Sequence, residues 1–109
     1  MDNRAKIRQL NDAFRTSFRG GQVMLTLGIR SKSEGEVAEI LERVLNFHDF
    51  NKNNDVYQEH DCASFMHNGE KIIWKIDYYL ASDMRYASDD PVDPQKTARI
   101  LTIMTESEY

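Results

Sequence analysis

Ile7, Leu10, Ala13, Phe14 and Phe18 recur at three- and four-residue spacings and make one apolar stripe. This predicts a helix over about residues 4–18, capped by Asn3 and stopped by Gly20-Gly21. Gln22 to Leu27 then alternates Val23, Leu25 and Leu27 against Met24 and Thr26, the period of a strand. Ser33-Glu34-Gly35-Glu36 has capping-box spacing, with a hydroxyl at the cap and a carboxylate three residues on. It starts a second helix over about 34–47, whose apolar face is Val37, Ile40, Leu41, Val44, Leu45 and Phe47. A polar loop over about 48–57 follows. Residues 58–67 and 70–80 read as two strands around Asn68-Gly69, a dipeptide suited to a tight hairpin turn because both positions take positive φ. The polar segment 81–92 predicts a loop. Asp93-Pro94 reads as the cap and first position of a last helix that buries Ala98, Leu101, Ile103 and Met104, with Ile100 at its flank. The predicted order is α-β-α-β-β-α. It describes a single α+β domain over 1–109, with a three-stranded, mostly antiparallel sheet and helices on one face.

The chain has 109 residues, 40% of them apolar and 29% charged, a composition that fits a globular domain with one modest core. No run approaches the ~20 apolar residues of a membrane helix. The first residues carry no apolar leader, and the single Cys62 fits a reducing compartment, so a cytoplasmic protein is expected. The net charge of −4 disfavours broad binding to a phosphate backbone. That charge is uneven. Arg4, Lys6, Arg8, Arg15, Arg19 and Arg30 face only Asp2 and Asp12 in the first thirty residues, whereas Asp83 to Asp93 and Glu106-Ser107-Glu108-Tyr109 are acidic. The arginine-rich first helix is therefore the one place where nucleic-acid binding would have to start.

Groups able to do chemistry gather between Asn46 and Tyr79. A two-residue Asn68-Gly69 turn fixes the register across the hairpin. Phe65 faces Ile72, Ala63 faces Trp74, Asp61 faces Ile76 and Glu59 faces Tyr78. On the other face Met66 meets Lys71, Ser64 meets Ile73, Cys62 meets Lys75 and His60 meets Asp77. In this register Asp77 orients His60, and Lys75 beside Cys62 would favour a thiolate, which on paper is a nucleophile with its base. Side chains two apart on a strand diverge by roughly 7 Å, however, and no oxyanion element accompanies them. A cross-strand His-Asp pair with an inert cysteine is the simpler expectation.

Asp61 or Asp55 is expected to tie down the 48–57 loop through hydrogen bonds. Asp49, Asn51, Asn53 and Asp55 alternate like the start of a calcium loop. Position six is Asn54 instead of glycine and position twelve is His60 instead of glutamate, so no metal is expected there. His48, His60 and His67 lack zinc-ligand spacing, and His67 beside the turn should face solvent. No cofactor motif is present. Among the aromatic residues, Trp74 is the best core candidate and Tyr79 the best surface candidate.

Several runs occur together: Ile7-Arg8-Gln9-Leu10-Asn11-Asp12, Asp49-Phe50 through Asn54-Asp55, Tyr57, Glu59-His60-Asp61, Trp74-Lys75-Ile76-Asp77-Tyr78-Tyr79 and Leu101-Thr102-Ile103-Met104. As a set they resemble a domain-of-unknown-function family of small proteins found often on plasmids, phages and integrated elements of alphaproteobacteria. The resemblance spans nearly the whole chain and brings no catalytic residues with it. It implies an accessory role, such as interference with a host defence or plasmid upkeep. An aromatic residue tends to follow the Glu-His-Asp triplet in that family, where this chain has Cys62.

The leading expectation is a non-enzymatic module that binds a protein partner through Asp49, Asn54, Asp55, Tyr57, Glu59, His60, Asp77 and Tyr79. The alternatives are a small enzyme or ligand-binding domain using Glu59, His60, Asp61 and Asp77, and a nucleic-acid binder using the first helix. Tyr79 or the last helix would supply the surface for a homodimer.

Overall fold

The computed structural model describes residues 3–109. The first helix, α1 (Arg4–Arg15), stops three residues before the predicted end. The Thr16 and Ser17 hydroxyls turn back to the carbonyls of Asp12 and Ala13, and Phe18 takes the left-handed conformation at φ 59°. The Asn3 side chain makes no capping bond. Gly21 follows because a Cβ there would lie 2.5 Å from the Arg99 carbonyl and 2.7 Å from the Phe14 ring. Next come β1 (Gln22–Leu25), a single helical turn α2 (Leu27–Arg30) and α3 (Glu34–Leu45), whose cap Ser33 accepts the Glu36 N–H at 3.2 Å. The remaining elements are β2 (Cys62–His67), β3 (Glu70–Leu80), β4 (Asp83–Ala87), β5 (Thr97–Thr105) and a 3₁₀ turn at Glu106–Glu108.

The fold is α+β, as predicted, but the mostly antiparallel sheet has five strands and not three. Its main path runs β1-β5-β3-β2, with β4 also paired to β3 and only the β1–β5 pair parallel. The predicted strand over Gln22 to Leu27 ends at Leu25, because Thr26 caps the helical turn that Leu27 begins, and two further predictions are overturned. The last helix is the strand β5, and the Asp93-Pro94 signal is a turn in which Asp93 accepts the N–H groups of Gln95 and Lys96. The segment 81–92 also contains a strand, β4, whose residues are almost all exposed.

The central hairpin keeps its predicted register. Asn68 and Gly69 have φ of 50° and 79°, and Cys62 to Met66 meet Lys75 to Lys71 as expected. Ala63 and Phe65 of β2, Ile72, Trp74 and Ile76 of β3, and Leu101 and Ile103 of β5 therefore point to one side of the sheet. Phe14, Ile29, Ile40 and Val44 from the three helices cover them, and Trp74 at the centre is fully buried. On α1 the observed buried stripe is Ile7, Asn11, Phe14 and Arg15, whereas Ala13 is exposed.

The acidic tail clips the sheet to α2. The Glu108 carboxylate accepts from the Thr26 hydroxyl (2.6 Å), the Gly28 N–H (2.7 Å) and the Thr105 N–H (2.9 Å). These donors, the Thr26 hydroxyl first, hold its carboxyl down at about 2, against an ordinary value of 4.5. A folded-state value below the unfolded one gives stability that is complete above pH 4.5 and lost as pH falls through about 2. Glu108→Gln should therefore melt below the wild type at neutral pH, and the two curves should converge as the pH is lowered across that window. Because the site is open to water, the gap should also narrow with added salt. Thermal melts across pH check this, and a pH-independent gap would contradict it.

Candidate functional site

The polar groups of the middle segment meet polar residues of α1. Arg8, Asn11, Asp12 and Arg15 stand at helical spacings of three and four and so share one face. Arg8 Nη1 donates to the Gln58 carbonyl at 3.0 Å, and Asn11 Nδ2 donates to the Glu59 carbonyl at 3.0 Å. The Asp12 carboxylate lies 2.9 and 3.0 Å from His60 Nδ1. Arg15 Nη1 donates to the carbonyls of Val44 (3.1 Å) and Phe47 (2.7 Å), at the end of α3 where a cation is favoured, and its Nη2 pairs with Asp12. The helix thus grips the loop from Phe47 to His60 at both ends.

The loop also braces itself. The Asn51 side-chain carbonyl accepts the N–H groups of Asn53 and Asn54. Asn54 in turn accepts the Asn51 N–H and donates to the Asp49 carbonyl. The alternating polar positions that imitate a calcium loop are in this way bound to their own backbone. Asp55 is buried and accepts the His60 N–H at 3.0 Å, so the expectation that it ties the loop down holds. The His60 ring stacks on Phe50 with centroids 3.8 Å apart and planes 4° from parallel. Gln58 and His60 both hold left-handed backbone, at φ 58° and 53°. For residues other than glycine this costs roughly 1–2 kcal/mol each, and the bonds above are what hold them there.

Beneath the loop is a polar hub. Fully buried Asn11 receives the Arg99 Nε–H at 2.8 Å and donates to the Tyr78 hydroxyl at 2.7 Å. Tyr78 donates to Glu59 at 2.7 Å, and the Arg99 guanidinium lies 5.1 Å over the Tyr78 ring. Burial pushes the Tyr78 phenol far above its ordinary value. The Asn11 bond opposes this shift, and donation to Glu59 adds to it. Burial lowers the Arg99 guanidinium, partly offset by Tyr78 and Glu59.

The predicted site residues do not form one cluster. Asp55, Glu59 and His60 sit together on the helix side, and the expected facing of Glu59 and Tyr78 is realised as a hydrogen bond. His60 does not meet Asp77. The left-handed turn at His60 ends the ladder, so strand β2 begins only at Cys62 and the imidazole swings to Asp12 and Asp55. Asp77 lies on the opposite face of the sheet and pairs with Lys75 at 3.0 Å, with half-buried Tyr79 on that same outer face. Asp49 and Tyr57 are exposed on the loop, and Asn54 is half-buried. Cys62 is not activated. Burial pushes its thiol up, and Asp61, Asp55 and Asp77 push it further. Burial, with Glu59 next, also raises the Asp61 carboxyl. His67 does not face solvent. It is buried with Nε2 2.8 Å from Glu39.

Asn11, Asp12, Arg15 and Arg99 were not anticipated as site residues. The signal for two of them was present, because Asn11 and Arg15 fall on the stripe that Ile7 and Phe14 define, where a polar residue marks a buried polar contact. A notch of about 310 Å³ lies beside the clamp, lined by Arg8, Phe50, Asn51, Lys52, Asp55, Gln58 and His60. Among the described residues no three His, Cys, Asp or Glu side chains are grouped to hold a metal, and no helix is long and apolar enough to cross a membrane.

Fold and site together define a small α+β domain in which a helix and a polar hub fix the shape of a displayed loop. Residues 25–108 match the family model described as Protein of unknown function (DUF3768), and the chain belongs to that family. No curated protein and no solved structure matches the chain. The family match begins at the end of β1, so the clamp residues of α1 precede it.

Proposed function

We propose that the protein is a non-enzymatic binding module that presents the tip of the clamped loop to a protein partner. The observation that carries this reading is the exposure of Val56 (69%) and Tyr57 (67%) on a segment whose flanking backbone is fixed from both sides. An exposed tyrosine is a frequent anchor of binding energy, and a loop already ordered loses little entropy on docking. Asp49 and Asn54 border this tip and would contribute to its rim. Asp55, Glu59 and His60 act as its supports. Asp77 and Tyr79, on the far face of the sheet, would belong to a second patch. The mobile-element setting that the sequence resemblance implies makes a host-defence component the partner we favour, in a cytoplasmic setting.

The enzyme or ligand-binding alternative rests on the notch beside His60, where His60 is engaged with Asp12 and Asp55 and Arg8 with the Gln58 carbonyl. The nucleic-acid alternative would have to draw Arg8 and Arg15 away from the carbonyls they hold.

Affinity capture of the tagged chain from its native host, wild type against Tyr57→Ala, tests the reading. A stoichiometric protein held by wild type should be released by at least about tenfold in the variant, the scale of an anchor worth over 1 kcal/mol. Its unfolding curve should be unchanged. Equal capture by both forms would refute the loop as the contact surface. A co-purifying metabolite in place of a protein would favour the alternative.

A further inference from the structure

Among the described residues, three strands of this sheet have an edge that no other strand covers, and they are protected unequally. β1 is only four residues long. β4 carries the charged pair Asp83–Arg85, and three residues bulge out between its pairings with Leu80 and Tyr79. Short length, charge and bulges are the usual guards against strand addition. The six-residue β2 has none of them. Its sequence Cys62-Ala63-Ser64-Phe65-Met66-His67 contains no proline, lysine or acid and pairs with β3 without a bulge. The Ile76 N–H to Asp61 carbonyl bond (2.7 Å) sets the alternation of the ladder. Ala63, Phe65 and His67 therefore turn their backbone groups toward β3, and Cys62, Ser64 and Met66 turn theirs outward. The Cys62 end is closed off by the loop, where the thiol approaches the Asn54 carbonyl. The stretch from Ser64 to Met66 opens onto a groove of about 680 Å³ between β2 and α3.

The lining of this groove selects its occupant. Glu42 and Asp49 line it along with Glu39, which pairs with His67. Its one Lys or Arg side chain, Arg43, is occupied with the Met66 carbonyl (3.2 Å) and the Phe65 ring (4.5 Å). Two copies pairing β2 to β2 would bring these acidic rims together, which is unfavourable. We infer that the β2 edge and its groove take up an extended segment of a partner protein as an added strand, with Lys or Arg at alternate positions facing Glu42 and Asp49. Backbone bonds to both polar groups of Ser64 and to the Met66 N–H supply the general attraction, the Met66 carbonyl being held by Arg43, and the acidic lining supplies the choice of side chain. Asp49 links this groove to the displayed loop, so both belong to one footprint. The inference rests on the protein-binding reading.

The test uses the full chain and three blocked octapeptides: alternating Lys and Val, alternating Glu and Val, and the Lys–Val peptide N-methylated at alternate amides. Only the first should bind saturably, and it should slow amide exchange at Ser64 and Met66. Ser64→Pro removes an outward N–H and no ladder bond, which an edge strand tolerates. Ser64→Pro and Glu42→Lys should each weaken binding by at least about tenfold, one 1.4 kcal/mol step. If Ser64→Pro does not fold, Glu42→Lys decides alone, because the Glu42 side chain bonds no described residue. Absence of saturable binding, or binding that leaves those two amides exchanging as before, would overturn the inference. So would protection of the same amides by dimerisation without peptide, which would put a second copy on the edge. Partner capture that depends on Tyr57 but survives Glu42→Lys would discard the edge and leave the binding-module reading intact. Capture indifferent to Tyr57 would discard that reading.

Discussion

Trp74→Ala is expected to lower the unfolding free energy by about 4 kcal/mol, within the roughly 3–5 kcal/mol range for truncating a large buried aromatic residue. Against a total near 5–15 kcal/mol for a domain, that removes from about a quarter to most of the stability. Trp74 is fully buried at the centre of the sheet. Phe47 and Phe50 meet its ring edge-to-face at 5.8 and 6.1 Å, and the Arg15 guanidinium lies 5.5 Å from it. The effect reaches the site because Phe50, which packs on Trp74, carries the stacked His60 ring on its other side. Trp74→Phe keeps part of that contact and should cost distinctly less. Urea unfolding of the three proteins is the check. An alanine variant within about 1 kcal/mol of wild type would mean that Trp74 is not the centre of the core.

The legible parts of this chain are those where local chemistry and burial agree. The Asn68-Gly69 turn sets its own backbone, so the register from Cys62–Lys75 to Met66–Lys71 could be read residue by residue. The Ser33 cap and the apolar face of α3 likewise point to one answer. β5 was misread because strands buried on both faces lose their alternation. Thr97, Arg99, Leu101 and Ile103 face the helices, while Ile100 and Met104 are also buried on the outer side. The resulting near-continuous apolar run resembles a helix, and Asp93-Pro94 supplied a false start. The threonines at 97, 102 and 105 and the isoleucines at 100 and 103 were the contrary signal, since β-branched residues favour strands. β4 left no apolar pattern because it buries almost nothing.

The candidate site was half legible for a related reason. Asp55, Glu59 and His60 were legible, whereas Asn11, Asp12, Arg15 and Arg99 were not anticipated, and the partner expected for His60 was wrong. Extending the hairpin register beyond Cys62 assumes extended backbone, and nothing in Gln58-Glu59-His60 announces two left-handed residues. Those conformations are imposed by α1, nearly fifty residues earlier in the chain, and such tertiary constraints leave no local trace. What the sequence did show was a polar residue on an apolar stripe, Asn11.

Asn11 is the point at which fold and site are joined. In Asn11→Ala the Arg99 Nε–H loses its acceptor, the Glu59 carbonyl loses its donor, and the Tyr78 hydroxyl loses one of its two bonds. Leaving buried partners unmatched costs about 1–3 kcal/mol each and more for a charged group, so a loss of roughly 3 kcal/mol is expected after relaxation. The Glu59 carbonyl also lies between the two left-handed residues. Its release should let Gln58 and His60 relax, speed amide exchange at His60 and weaken partner capture through Tyr57, although Asn11 itself is fully buried. A double-mutant cycle with Tyr78→Phe separates a hub from independent contacts. Residues of one network should couple by about 1 kcal/mol, whereas additive losses would mean that Asn11 and Tyr78 stabilise the chain separately. If Asn11→Ala lowers stability and leaves His60 exchange unchanged, the loop is held by Arg8, Asp12 and Asp55 without help from the hub.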